Sequence, residues 1–270
     1  MKNFYLIITA VFLIPFTMFS QRITKYNISV FYQDGSTESG EINFNIRMYD
    51  NTITSTDYKE KIKLKTPDGE TKDIPTRNIH SILIKGDGED VKSDYLLYQV
   101  PTRKIDNETG EISSREDVMF LQKFVDGPIE VYGYFLKIVE DKRAMIEVGS
   151  TEYENVFYSF VKFPDVNYAV SAKTSVIHHI IPSFASLSHL LKKCPKAKAD
   201  FDEKYPNTLS SKMKYESSVR RATKNIYKEK YGDDKSIKRK EKKKKIEEIK
   251  DNLQLDFYRE YVQNYSKNCL

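Results

Sequence analysis

The feature that most constrains this chain is a change of hydrophobic period near Pro182. Upstream of it, apolar and polar residues alternate, as in Ile28-Ser29-Val30-Phe31-Tyr32 and Glu41-Ile42-Asn43-Phe44-Asn45-Ile46. A period of two sends alternate side chains to opposite faces of a strand. Asp34-Gly35 stands between those runs, and Asp-Gly between alternating segments is a strong hairpin signal. The arrangement recurs in Lys61-Ile62-Lys63-Leu64-Lys65, the turn Pro67-Asp68-Gly69, and Ile74. Ile79–Ile84 and Tyr95–Val100 read as further strands, with the polar stretches 86–94 and 101–117 as loops around the second. A second block begins at Val118: Phe120–Val125, the turn Asp126-Gly127-Pro128, Ile129–Val139, Ala144–Val148 and Val156–Phe163 all have strand composition. One more strand is expected, at Tyr168–Ala172 or at Val176–Ile181.

From Ser183 the period becomes helical. Phe184, Leu187, Leu190, Leu191 and Cys194 fall on one face, and Pro195 is expected to end that helix. Tyr215, Val219, Ala222 and Ile226 repeat the pattern, and Ile246, Ile249, Leu253, Phe257, Tyr261 and Tyr265 extend it almost to the last residue. The fold class expected is therefore α+β. An antiparallel, strand-rich body of small sheets or a barrel spans 21–181, in sub-blocks 21–100 and 118–181. A helical tail spans 182–270, and its Lys-rich segment, 235–250, should project into water.

Ahead of the body, Lys2 and the apolar run Phe4–Phe19 form the pattern of a signal peptide. The expected cut follows Ser20 and leaves Gln21 first, with an uncleaved anchor as the alternative. The run is shorter than the roughly 20 apolar residues of a spanning helix, and Pro15 interrupts it. No cysteine follows it to take a lipid anchor. The expected address is thus periplasmic, extracellular or associated with the outer envelope.

That compartment gives the two cysteines, Cys194 and Cys269, a meaning. In oxidising surroundings a lone pair tends to be bridged; the alternative is two thiols that never meet. Charge is equally local. Lys235 to Lys250 holds nine basic and three acidic residues, whereas the whole chain sums to +5. Basicity therefore belongs to one segment and not to the whole surface. Glu241, Glu247 and Glu248 are interspersed there, as in a solvated helix with intrahelical pairs. Contact with an anionic envelope surface is the next reading. A nucleic-acid partner is not expected, since the segment has one Arg and no aromatic ring for stacking.

Catalytic signatures fail one by one. Gly86 and Gly88 begin a dinucleotide-type pattern, but Val91 occupies the third glycine position. Of the four histidines, His178 and His179 should face opposite sides of a strand, His189 should be solvated, and His80 stands apart, so no convergent metal site is expected. Asp106, Glu108, Glu111, Glu116 and Asp117 cluster, but in an expected loop without the rigid spacing that paired acids need. No catalytic, cofactor-binding or metal-binding residue is assigned, and Cys194 and Cys269 are the site residues named, as a disulfide.

Three stretches carry a resemblance: Asp34-Gly35 followed by Gly40-Glu41-Ile42; the run Phe120 to Tyr132 with its Gly127 turn; and Cys194-Pro195 with the ending Tyr265-Ser266-Lys267-Asn268-Cys269. Together they are similar to a family of exported, uncharacterised proteins of Bacteroidota. Lys193 and Ser266 depart from that family's Asp and Asn. The resemblance implies an envelope location and supports pairing of the cysteines; it brings no activity and no catalytic residue. The function expected is a non-enzymatic binding, interaction or structural role toward an envelope protein or surface; for the aromatics around Tyr132 and Tyr134 core packing is the default expectation and an interface the alternative. The alternatives are a periplasmic hydrolase of glycans or esters, and a lipid-binding barrel.

Overall fold

The computed structural model describes residues 24–44, 61–86, 94–140, 152–172, 182–232 and 236–270. The expected signal peptide 1–20, the run Ala144–Val148, Val176–Ile181, and His178 and His179 lie outside the described residues. The fold is α+β, with a strand-rich body followed by helices.

Among the described residues ten strands form one continuous sheet: β1 (Thr24–Tyr32), β2 (Thr37–Phe44), β3 (Lys61–Lys65), β4 (Thr71–Pro75), β5 (Ile79–Ile84), β6 (Tyr95–Ile105), β7 (Ile112–Val125), β8 (Glu130–Glu140), β9 (Glu152–Lys162) and β10 (Ala169–Ser171). They lie in the order β10-β9-β8-β7-β6-β5-β1-β2-β3-β4. β10 also pairs with β6 in parallel, Ala169 opposite Thr102 and Ser171 opposite Lys104, so β6 to β10 close into a five-stranded ring. All the other pairings are antiparallel.

The first half of the sheet follows its alternation closely. Ile62 and Leu64 are buried between exposed Lys61, Lys63 and Lys65. With Ile28, Val30, Ile42, Ile74, Ile82 and Leu97 they make an aliphatic core. Gly35 and Gly69 close the two hairpins with positive φ, 84° and 87°, where a side chain would be strained.

The ring has its own interior. Val100, Leu121, Tyr132, Phe160 and Ala169, one from each strand, pack together, while Glu116 and Val118 on the other face of β7 are exposed. That other face of the ring, further along, meets the helices. Register explains how: Val131 pairs with Val161 and Val125 with Val131, and a register shift lets Phe124 join them on the helix side. A β-bulge of this kind puts two successive residues on one face.

The helices are α1 (Phe184–Leu190), α2 (Pro195–Lys204), α3 (Leu209–Tyr231) and α4 (Arg239–Cys269). A 3-10 turn, Leu191–Lys193, follows α1. Pro195 does not merely end a helix; it opens α2 at the first turn, where its missing N–H is not needed. Cys194 is accordingly the N-cap of α2 and not the last residue of α1's face.

The stretch 101–117, expected to be a loop, is mostly strand. β6 runs on to Ile105 and β7 starts at Ile112, leaving only a short turn. Polar residues here form cross-strand pairs, with Arg103 opposite Glu116 and Thr102 opposite Asp117, so low apolar content did not prevent pairing. The turn docks on α1: the Ser183 hydroxyl donates to Asn107 Oδ1 at 3.0 Å, and the Ser186 hydroxyl donates to the same oxygen. His189, expected to be solvated, is half-buried against that turn. A Cβ on Gly110, which has φ +73°, would lie 2.6 Å from its ring.

α4 buries more than a single stripe. Phe257 and Tyr261 meet rings of α1 and α2, including Phe201. Gln254 and Tyr258 reach β9, where Gln254 Oε1 accepts the Phe157 N–H at 3.1 Å and Tyr258 Oη lies 2.6 Å from Ser159 Oγ. At the far end Cys269 is bonded to Cys194, with Cα atoms 5.8 Å apart.

Candidate functional site

The strands of the ring bring a group of charged and aromatic side chains to one mouth. The C-terminal end of β7 supplies Lys123, the start of β8 Glu130 and Tyr132, the end of β9 Lys162, and the start of β6 Tyr98. Pairing puts Lys123 opposite Tyr132 and Glu130 opposite Lys162, so all of them share the inward face. Glu130 is the hub. Lys123 Nζ donates to its Oε1 at 2.5 Å, Tyr132 Oη donates to its Oε2 at 2.9 Å, and Lys162 Nζ lies 3.4 Å from that oxygen. Lys123 Nζ also sits 5.2 Å from the centre of the Tyr98 ring and 5.7 Å from that of Tyr132, within reach of a cation–π interaction. His80 meets the Tyr98 ring edge-on at 6.0 Å.

Burial alone would raise the Glu130 pKa, but the hydrogen bonds from Lys123 and Tyr132 and the charges of Lys123 and Lys162 outweigh it and hold the carboxyl below its ordinary range. Burial likewise opposes the charge on Lys123, yet Glu130 keeps the ammonium protonated and raises its pKa. The Tyr132 phenol is pushed up, first by burial and then by Glu130. A protonated lysine, an ionised carboxylate and a protonated phenol, all engaged with one another, suit recognition better than proton transfer, which needs groups poised near the working pH.

Further along the same face, Tyr134 and Tyr158 stack with ring centres 5.2 Å apart and planes 6° from parallel, and Phe160 lies beside Tyr134. The Tyr134 phenol is pushed up to about 12, by burial first and Tyr158 second. Of the two tyrosines singled out from sequence, Tyr132 is buried, at 4% exposure, and belongs to the core. Tyr134 is half-buried, and so are Tyr98 and Tyr158. Lys123 and Glu130 were not singled out. Their signal was present as two charges flanking the Gly127 turn, where the hairpin brings them together.

The other candidates have structural work. Asp106 caps its turn: its Oδ1 accepts the N–H groups of Glu108 and Thr109, both at 2.8 Å, which lowers its pKa. Glu116 pairs with Arg103 at 3.1 Å and Asp117 with Arg115 at 3.7 Å, while Glu108 and Glu111 are exposed. Among the described residues no group of three or more His, Cys, Asp or Glu side chains could hold a metal ion. Among them too, no helix is long and apolar enough to cross a membrane. An open groove of about 390 Å³ lies between the β1–β2 and β3–β4 hairpins, lined by Asn27, Gly40, Glu41, Lys65, Thr66 and Lys85 among others. Gly40 is required there, because a Cβ would lie 2.4 Å from the Lys65 carbonyl oxygen.

Set against protein-family profiles, curated proteins and solved structures, the chain matches none of them.

Proposed function

We propose that this chain is an exported, non-catalytic binding protein of the cell envelope, and that the charged aromatic mouth of its ring contacts a protein partner. The observation that carries the reading is the Lys123–Glu130–Tyr132 cluster. Its charges are mutually satisfied and only about a quarter exposed, and half-buried tyrosines surround it. Tyrosine is enriched at interface centres whereas Lys and Glu are depleted there, so it is the half-buried tyrosines, beside lysine and glutamate charges already paired with each other, that suit a contact. Export is supported by the leader pattern Lys2 to Ser20 and by the joined pair Cys194 and Cys269, a bond that persists mainly outside the reducing cytosol.

Two rival readings have less to stand on. Against a hydrolase, Asp106, Glu116 and Asp117 are spent on a turn cap and on ion pairs with arginines. Against a lipid carrier, the ring has five strands and an interior occupied by its own side chains; about eight strands are needed before a barrel has room to hold a small ligand.

The test is site-specific photo-crosslinking in the producing cell, with the crosslinker at Tyr134 or Tyr158 and a control at Ser217 on α3. A discrete adduct in the envelope fraction from the ring positions alone is expected. Adducts identical at the control position, or an unprocessed protein in the cytosol with both thiols alkylatable, would sink the proposal.

A further inference from the structure

The basic charge of this protein is gathered on the α3–α4 hairpin. Residues 209–250 hold sixteen Lys and Arg against seven Asp and Glu, a balance of +9, so the rest of a chain whose total is +5 carries −4. The structure extends this charge well beyond the run 235–250. On α3, Lys214, Arg221 and Lys228 recur every two turns, Lys224 lies between the last two, and all four are exposed. Residues seven apart on a helix lie nearly in line, so this stripe covers about 21 Å along one helix. It runs opposite the packed face, which is marked by buried Val219 and Thr223. None of the four makes an ion pair among the described residues, whereas neighbouring Arg220 pairs with Glu216.

The start of α4 lies alongside the end of α3. Lys242 Nζ sits 5.3 Å from the centre of the Tyr227 ring, and Lys245 Nζ sits 4.2 Å from that of Tyr231. These contacts bring exposed Lys238, Arg239 and Lys240 to the same end of the hairpin. On the flank of α3, at its N-terminal end, stand two of the most exposed apolar side chains among the described residues, Leu209 at 61% and Met213 at 55%, one helical turn apart. Met213 is nearly in line with Lys224, eleven residues on.

We infer that the α3–α4 hairpin is a docking surface for an anionic lipid bilayer. Lysine and arginine would meet the headgroups, while Leu209 and Met213 enter the interface. A rigid row of cations with apolar side chains at its flank is how peripheral helices hold a charged membrane. A nucleic acid or an acidic polysaccharide would use the cations but leave Leu209 and Met213 without a partner. The rings that could stack on bases, Tyr227 and Tyr231, already lie beneath lysines. The inference does not rest on the ring mouth, which lies on other elements.

The test is co-sedimentation of the full chain with vesicles of phosphatidylglycerol in phosphatidylcholine. Pure phosphatidylcholine vesicles report any contribution from the apolar run Phe4–Phe19. Binding to the anionic vesicles alone, falling as salt is raised, is expected. Replacing Lys214, Arg221 and Lys228 together by Gln should weaken it on the order of a hundredfold. Leu209→Ser with Met213→Ser should weaken it several-fold without changing the salt dependence. All five positions are exposed, so far-UV circular dichroism should show unchanged folding. Equal binding to neutral vesicles, undiminished binding by the triple variant, or retention on heparin with no vesicle binding would each overturn the inference.

Discussion

The hydroxyl of Tyr215 is buried among Phe184, Tyr205 and Phe257 and has no hydrogen-bond partner among the described residues. A buried, unsatisfied polar atom costs about 1–3 kcal/mol. Tyr215→Phe should therefore leave stability unchanged or raise it by about 1 kcal/mol, read from urea unfolding; a clear loss would mean that the hydroxyl is paired after all. Gly133 is the opposite case. A Cβ there would lie 2.3 Å from the Tyr158 carbonyl oxygen and 2.7 Å from the Phe157 ring. Because the nearest atom is backbone and cannot swing away, Gly133→Ala should cost about 1–3 kcal/mol. The Glu130 carboxyl is held below its ordinary pKa. Its contribution is thus complete above the unfolded value of about 4.3, and is lost as pH falls through the depressed folded value. Acid titration of unfolding should show the wild-type protein losing stability on that descent and Glu130→Gln responding less.

Among the elements, local patterns marked the hairpins well. Asp34-Gly35, Asp68-Gly69 and Gly127 all sit in turns between paired strands, because a tight turn has a local backbone requirement that residue type reveals. Strand extent was less legible. Residues 101–117 are too polar to announce a strand, and what stabilises them is the neighbour across the ladder, as Arg103 is for Glu116. The buried Gln254 on α4 was hidden for the same reason: its partner is the Phe157 N–H, ninety-seven residues away. Gln254→Leu would leave that N–H unpaired and should cost about 1–3 kcal/mol. The disulfide acts on the same helix from its other end. Replacing both cysteines by Ser should cost about 2–4 kcal/mol on the chain-entropy account, and far-UV circular dichroism should still report helix, since Tyr258 and Tyr261 remain packed.

At the scale of the molecule, the closing of the ring was the least legible feature. β10 has three residues and pairs with β6 in parallel, and nothing in so short a segment names a partner more than sixty positions back. Nor did sequence show how closely the helices are joined to the strands. Val125, Val131, Phe157 and Val161 form one core with Phe184, Leu187, Tyr258 and Val262. Residues 21–181 expressed alone should therefore bind a hydrophobic dye or aggregate, while a soluble, cooperatively unfolding fragment would contradict that dependence. β6 and β7 carry the largest consequence. Leu97 and Phe120 on these strands belong to the aliphatic core of the first half, whereas Val100 and Leu121 belong to the ring. Among the described residues, two strands are thus common to both halves. Load applied at one end of the body must travel to the other as strain in shared backbone and not as a swing between lobes.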